Sequence, residues 1–215
     1  MIIASPTSPL YSVYSDSTNI YPSNTLAYGG ATGISGGSPY IQITCGNHTI
    51  KLTSNGGTSY PVDTTINFSA NGYYSVFAYD TATGSAGLKT LVLNDNLTPP
   101  RTGQAELRFI NLSPNSQSLN VSLINTDSKT MDTILLSNIG YIGYSEVVMD
   151  SLSAFKTISA GTYNVSLNTT TTPSMVMFKN SVPFNSGKIY TIYAKGYVNG
   201  INANDSLSIG IIENY

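Results

Sequence analysis

A repeat constrains this chain more than any other feature. Ile3 to Val13 reads IASPTSPLYSV and Asn111 to Val121 reads NLSPNSQSLNV. Both place a Ser-Pro after apolar residues and then return to an alternating run. Further matches follow in the same order. Cys45-Gly46-Asn47-His48-Thr49-Ile50-Lys51-Leu52 answers Ala160-Gly161-Thr162-Tyr163-Asn164-Val165-Ser166-Leu167, and Phe68 to Ala78 answers Phe184 to Ala194. The spacing between matches drifts from 108 residues (Pro6 to Pro114) to 119 (Leu88 to Leu207), as small loop insertions between fixed elements produce.

The period inside each copy is two. Leu107 and Phe109 alternate with Glu106 and Arg108; Leu119, Val121 and Leu123 alternate with Asn120 and Ser122. Each run therefore has one apolar and one polar face, as a half-buried strand does. Such runs, broken every 8 to 12 residues by Gly, Asn, Ser or Pro, predict an antiparallel sandwich of about seven strands per copy. The expected fold is all-β, two tandem immunoglobulin-like antiparallel β-sandwich domains over residues 1–98 and 103–215. Pro99 and Pro100 lie between them and cannot donate ladder hydrogen bonds, so Asn96 to Gly103 reads as a short semi-rigid connector joining domains end to end. Met1 aligns with Phe109, so the first copy enters its first strand part-way. That strand is expected to be truncated, as in a chain trimmed after a leader, and its domain to offer the more exposed sheet edge.

Composition narrows function by exclusion. Charged residues make up 9% of 215 residues and the net charge is −2, so no basic field exists for nucleic acid. No apolar run approaches the length of a membrane-spanning helix, and the first ten residues lack a signal peptide's basic and apolar regions. Cys45 is the single cysteine and reads as a small hydrophobe beside a turn.

Chemistry-bearing residues are few. His48, the lone histidine, takes the slot of Tyr163 and is expected to fill space and donate a hydrogen bond; nothing in the sequence marks a nucleophile and acid converging on it. Asn94-Asp95-Asn96 could offer oxygens to calcium but reads better as a turn at a strand end. The Asn-X-Ser/Thr sequons, such as Asn120 and Asn164, are what chance gives in a chain rich in Asn, Ser and Thr. No catalytic residue, metal ligand or cofactor is expected. Tyrosine is the abundant type with binding potential. Tyr28, Tyr40, Tyr141 and Tyr144 flank the connections between middle strands, where rings could stack on a sugar or a protein, or merely cap the sandwich edges.

These marks together resemble the bacterial domain of unknown function 4397. They are Leu107-Arg108-Phe109-Ile110, Ser113-Pro114, Leu26-Ala27-Tyr28-Gly29 with Gly33-Ile34, Gly143-Tyr144, and Ala160-Gly161-Thr162-Tyr163. The resemblance covers nearly the whole chain, once per copy. It departs at Cys45-Gly46-Asn47-His48, where the family prefers Ala-Gly-Thr-Tyr, and at Ser137-Asn138, where Tyr-Gly is expected. The resemblance implies an exported, extracytoplasmic protein of the bacterial cell envelope or surface, often lipid-anchored upstream, with no established activity. The expected role is a non-catalytic module for adhesion or for binding glycan or a surface protein. The alternatives are a structural spacer in a larger assembly and, with less support, a glycan-active hydrolase.

Overall fold

The computed structural model describes residues 1–33, 39–54, 59–82, 87–127, 133–143, 152–170, 174–202 and 205–215. The chain divides into two compact units, Met1–Asn96 and Leu97–Tyr215. In the first, the strands are β1 (Ile2–Ile3), β2 (Tyr11–Ser15), β3 (Thr18–Asn19), β4 (Gly46–Ser54), β5 (Val62–Phe68), β6 (Tyr74–Tyr79) and β7 (Lys89–Asn94). The second holds β8 (Gln104–Asn111), β9 (Leu119–Asn125), β10 (Thr133–Ile139), β11 (Lys156–Ser159), β12 (Gly161–Thr169), β13 (Met175–Phe184), β14 (Ile189–Lys195) and β15 (Ser208–Glu213). Among the described residues no helix is long and apolar enough to cross a membrane.

Each unit is a β-sandwich, and the two share a strand order except that the second adds β11 at the edge beside β8. The first pairs a β3-β2-β4-β5 sheet with a β1-β6-β7 sheet; the second pairs β10-β9-β12-β13 with β11-β8-β14-β15. Apolar side chains from both sheets meet in the core. In the first unit Ile3, Val13, Leu52, Val62 and Ala78 form one cluster and Ile50, Ile66, Phe68 and Val76 another. In the second, Leu107, Phe109, Val121, Leu123, Val165, Leu167, Phe184 and Ile192 belong to one larger cluster. Alternation thus does what a period of two requires.

An all-antiparallel arrangement was expected, and one pair in each unit departs from it. β1 runs parallel to β6 (Ile2↔Phe77, Ile3↔Ala78), and β8 runs parallel to β14, with Ile110↔Tyr193 and Asn111↔Ala194 at the matching positions. Alternation cannot reveal direction, because both kinds of pairing show side chains at a period of two. β1 meets β6 at two positions where β8 meets β14 at six.

The opening Ser-Pro has a mechanical role in the second unit. Ser113 Oγ donates to the carbonyl of Gly196 at 2.6 Å, and Asn115 grips the Val198 backbone from both sides, accepting its N–H at 2.8 Å and donating to its carbonyl at 3.0 Å. The loop after β8 is thereby fastened to the loop after β14.

A trio of rings also recurs. Tyr163, Phe184 and Tyr190 sit at centroid distances of 5.6 and 5.1 Å, and His48, Phe68 and Tyr74 occupy the same places at 6.3 and 5.0 Å. The last tyrosine of each trio accepts a backbone N–H from five residues upstream, Ser69 for Tyr74 and Asn185 for Tyr190, both at 3.0 Å. Phe184 is fully buried at the centre of its trio. Phe184→Ala should lower unfolding free energy by about 3–5 kcal/mol, whereas Phe178→Ala, on an exposed side chain of the same strand, should change it by about 0.5 kcal/mol or less. Urea denaturation of the two variants checks this; equal losses would contradict the assignment of Phe184 to the core.

Candidate functional site

The tyrosines expected to display rings are largely used inside the fold. Tyr141 is only 4% exposed, so it has no ring face for a ligand, which corrects its expected surface role. Tyr28 is its counterpart: Gly29 N–H donates to Ile3 O at 2.7 Å, as Ile142 N–H donates to Asn111 O at 3.1 Å. The Tyr-Gly mark of the first unit therefore corresponds to Tyr141-Ile142 rather than to Ser137-Asn138. Both hydroxyls are shut away from solvent, although Tyr28 keeps part of its side chain exposed. Tyr40 is half-buried, with its ring edge-on to Tyr73 at 5.3 Å. Tyr144 lies outside the described residues.

Tyr40 leads to a polar cluster that sequence reading missed. Its hydroxyl donates to Asp95 Oδ2 at 2.6 Å, and Ser75 Oγ donates to the same oxygen at 2.6 Å. Asp95 is buried. Its enclosed carboxylate braces β6 against the connection carrying Tyr40, which differs from the open oxygen cluster a calcium site needs. Among the described residues no group of three or more His, Cys, Asp or Glu side chains gathers for a metal ion. The second unit has the same place and different chemistry. Thr191 Oγ1 donates to Asn214 Oδ1 at 2.7 Å, Arg108 Nε donates to Thr191 Oγ1 at 3.0 Å, and the Phe155 ring lies 4.5 Å from the Arg108 guanidinium.

His48 also gathers partners. Its Nδ1 lies 2.8 Å from Asp16 Oδ2 and its Nε2 lies 3.0 Å from Thr44 Oγ1. With the proton on Nδ1, the ring donates to Asp16 and accepts from Thr44, the order of a carboxylate–imidazole–hydroxyl relay. The second unit shows what this line does. Tyr163 donates to the carbonyl of Ser159, four residues upstream, at 2.8 Å, and His48 reaches Thr44 across the same interval. A ring that ties a core strand to the segment before it accounts for both. Asp16 is itself fixed, because its Oδ1 accepts the Thr49 N–H at 2.9 Å. Its partners are about thirty residues away in sequence, so no local motif marks them; the signal available was the Asp16-Ser17 turn, where Asp16 has φ 54°.

Chiefly through the Thr49 N–H, and then through His48, the Asp16 carboxyl is held below its ordinary value. A depressed carboxylate stabilises the fold above the unfolded value of about 3.9 and loses that contribution as pH falls through the folded value. Asp16→Asn should therefore flatten the fall in thermal midpoint below about pH 4 while leaving the curve near neutrality parallel to wild type. Unfolding followed by circular dichroism across pH would show it; an unchanged acid slope would contradict the role given to Asp16.

A search among curated proteins finds no match. The family model described as "Domain of unknown function (DUF4397)" matches residues 1–122, which takes in all of the first unit, β8 and the start of β9. That is more than half of the chain, and the protein belongs to this family.

Proposed function

We propose that the chain is a non-catalytic module of the bacterial cell envelope or surface, built from two copies of one domain, that serves adhesion by binding a protein partner. The second copy is supported by the strand order the two units share apart from β11 and by their matching parallel register. One observation carries the binding reading. On β13, the outermost strand of its sheet, Met175 is 61% and Phe178 45% exposed. They pair with Asn168 and Ser166, which alternate with the buried Val165 and Leu167, so both stand on the solvent face. Large apolar side chains set together on a surface mark a place that another protein covers.

The strand edge itself is protected from pairing with another strand. β13 shifts register near Ser181, whose φ is 53°, carries Pro183, and sets Lys179 opposite core-facing Val165. A bulge, a proline and a lysine on the edge strand are usual means of blocking edge-to-edge addition. The partner therefore meets the Met175 and Phe178 side chains rather than adding a strand.

Retention of the purified chain on isolated bacterial envelopes tests this. Exchanging Met175→Ser and Phe178→Ser together should lower retention about tenfold, a loss of about 1.4 kcal/mol, while Ile201→Ser, at an exposed position of the same unit, should leave it unchanged. Equal retention of all three chains would remove the β13 surface from the account. No retention of wild type would favour the spacer reading.

A further inference from the structure

The outward face of the first unit's four-stranded sheet differs in composition from its counterpart, the β10-β9-β12-β13 sheet. Across β3-β2-β4-β5 one row of directly paired residues runs Asn19, Tyr14, Lys51, Asp63. Their neighbours Val13, Leu52 and Val62 are buried in the core, so the row stands on the opposite, solvent face. At the matching positions of the second unit, β9, β12 and β13 carry Ser122, Ser166 and Phe178. An aromatic, a cation and an anion thus stand where the sister sheet has two small hydroxyls and an apolar ring.

Tyr60 adds a second ring. It is 48% exposed, and Lys51 Nζ lies 5.4 Å from its centroid and 4.0 Å from Asp63 Oδ2. Beside the row, Thr49 and Thr65 bring their hydroxyls within 3.2 Å of each other. Asn19 Oδ1 accepts the Tyr21 N–H at 2.9 Å, which leaves its amide N–H groups as what it offers a ligand.

We propose that this face of the first unit is a binding site for a neutral polysaccharide. The chemistry is complementary in three respects. The exposed Tyr60 ring, with the partly exposed Tyr14 ring in the same face, suits the apolar faces of sugar rings. Asp63 accepts hydroxyl protons while Lys51, Asn19 and the threonine hydroxyls meet sugar oxygens. The Lys51 and Asp63 charges cancel within the row, so the face attracts neither an acidic glycan nor a nucleic acid. Shape supports a polymer over a small molecule: the row crosses three inter-strand gaps, about 14 Å at the usual strand spacing, on an open sheet face rather than in a concave pocket.

This deepens the binding-module reading by adding a ligand class at a surface separate in sequence and chemistry from Met175 and Phe178. Affinity electrophoresis of the whole chain in gels containing a soluble mannan, β-glucan, xylan or polygalacturonate tests it. At least one neutral polymer should retard the chain, and Tyr60→Ala and Lys51→Met should each weaken retardation about tenfold. The Met175→Ser and Phe178→Ser double variant should migrate as wild type. The inference is overturned if Tyr60→Ala and Lys51→Met are retarded as strongly as wild type, if only polygalacturonate retards the chain, or if no polymer does. In that last case, retention on envelopes that still depends on Met175 and Phe178 would leave the protein-binding reading standing.

Discussion

The parallel pairing of the opening strand with the penultimate one governs the rest of each unit. A strand held this way tends to lie in a layer covered on both sides, and β14 shows it: Tyr190, Ile192 and Ala194 face the sandwich core while Ile189, Thr191 and Tyr193 are equally buried on the other side. In the first unit Val76 and Ala78 face the core, and Ser75, Phe77 and Tyr79 are buried behind them. Something must cover that second face. The connection between β10 and β11 brings Phe155 onto Arg108 and Tyr141 beside Asn111 of β8; the connection between β3 and β4 runs alongside β1 and brings Tyr40 to Asp95. Gly30 shows how closely one of these connections packs. A Cβ on Gly30 would come within 3.0 Å of the Ala27 carbonyl, closer than a turn lying against a strand tolerates.

Beneath that cover the two units solve one problem with opposite charges. A buried carboxylate that accepts from two hydroxyls stands in the first, and a buried guanidinium that donates to a hydroxyl and lies against an aromatic ring stands in the second. Burying either ion is costly unless it is bonded, and in each unit the strand and the covering connection both contribute to the bonding. Arg108 belongs to the Leu-Arg-Phe-Ile mark and Asp95 to a segment first read as a turn, so the second face is where several sequence marks acquire a physical reason. Outward-facing rows carry no such constraint, and there the units diverge, one towards tyrosine with paired charges and the other towards methionine and phenylalanine.

Much of the architecture was legible because it rests on local periodicity. Alternation at Leu107, Phe109, Leu119 and Val121 placed strands and their inward faces, and the matched stretches Phe68 to Ala78 and Phe184 to Ala194 fall at like places in the two sandwiches. The candidate site was less legible, because exposure is decided by non-local packing. Tyr141 and Tyr60 are the same residue type in similar glycine-rich or polar company, yet one lies under a strand pair and the other in solvent. Strand direction, the Asp16–His48 contact and the Tyr40–Asp95 bond all join residues tens of positions apart, beyond the reach of any motif. At His48 the comparison within the repeat reached the position but not the bond: like Tyr163 it contacts the residue four positions upstream, yet it accepts from the Thr44 hydroxyl where Tyr163 donates to a backbone carbonyl.

The central claim is that each sandwich carries a covered second face and that its connection tyrosines are structural. Nitration of the native chain with tetranitromethane, read tyrosine by tyrosine by mass spectrometry, tests it most directly. The account predicts that Tyr141 and Tyr193 stay unmodified while Tyr60 and Tyr215, both exposed, react, with the first pair becoming reactive only on unfolding. Nitration of Tyr141 in the folded chain as fast as that of Tyr60 would contradict it.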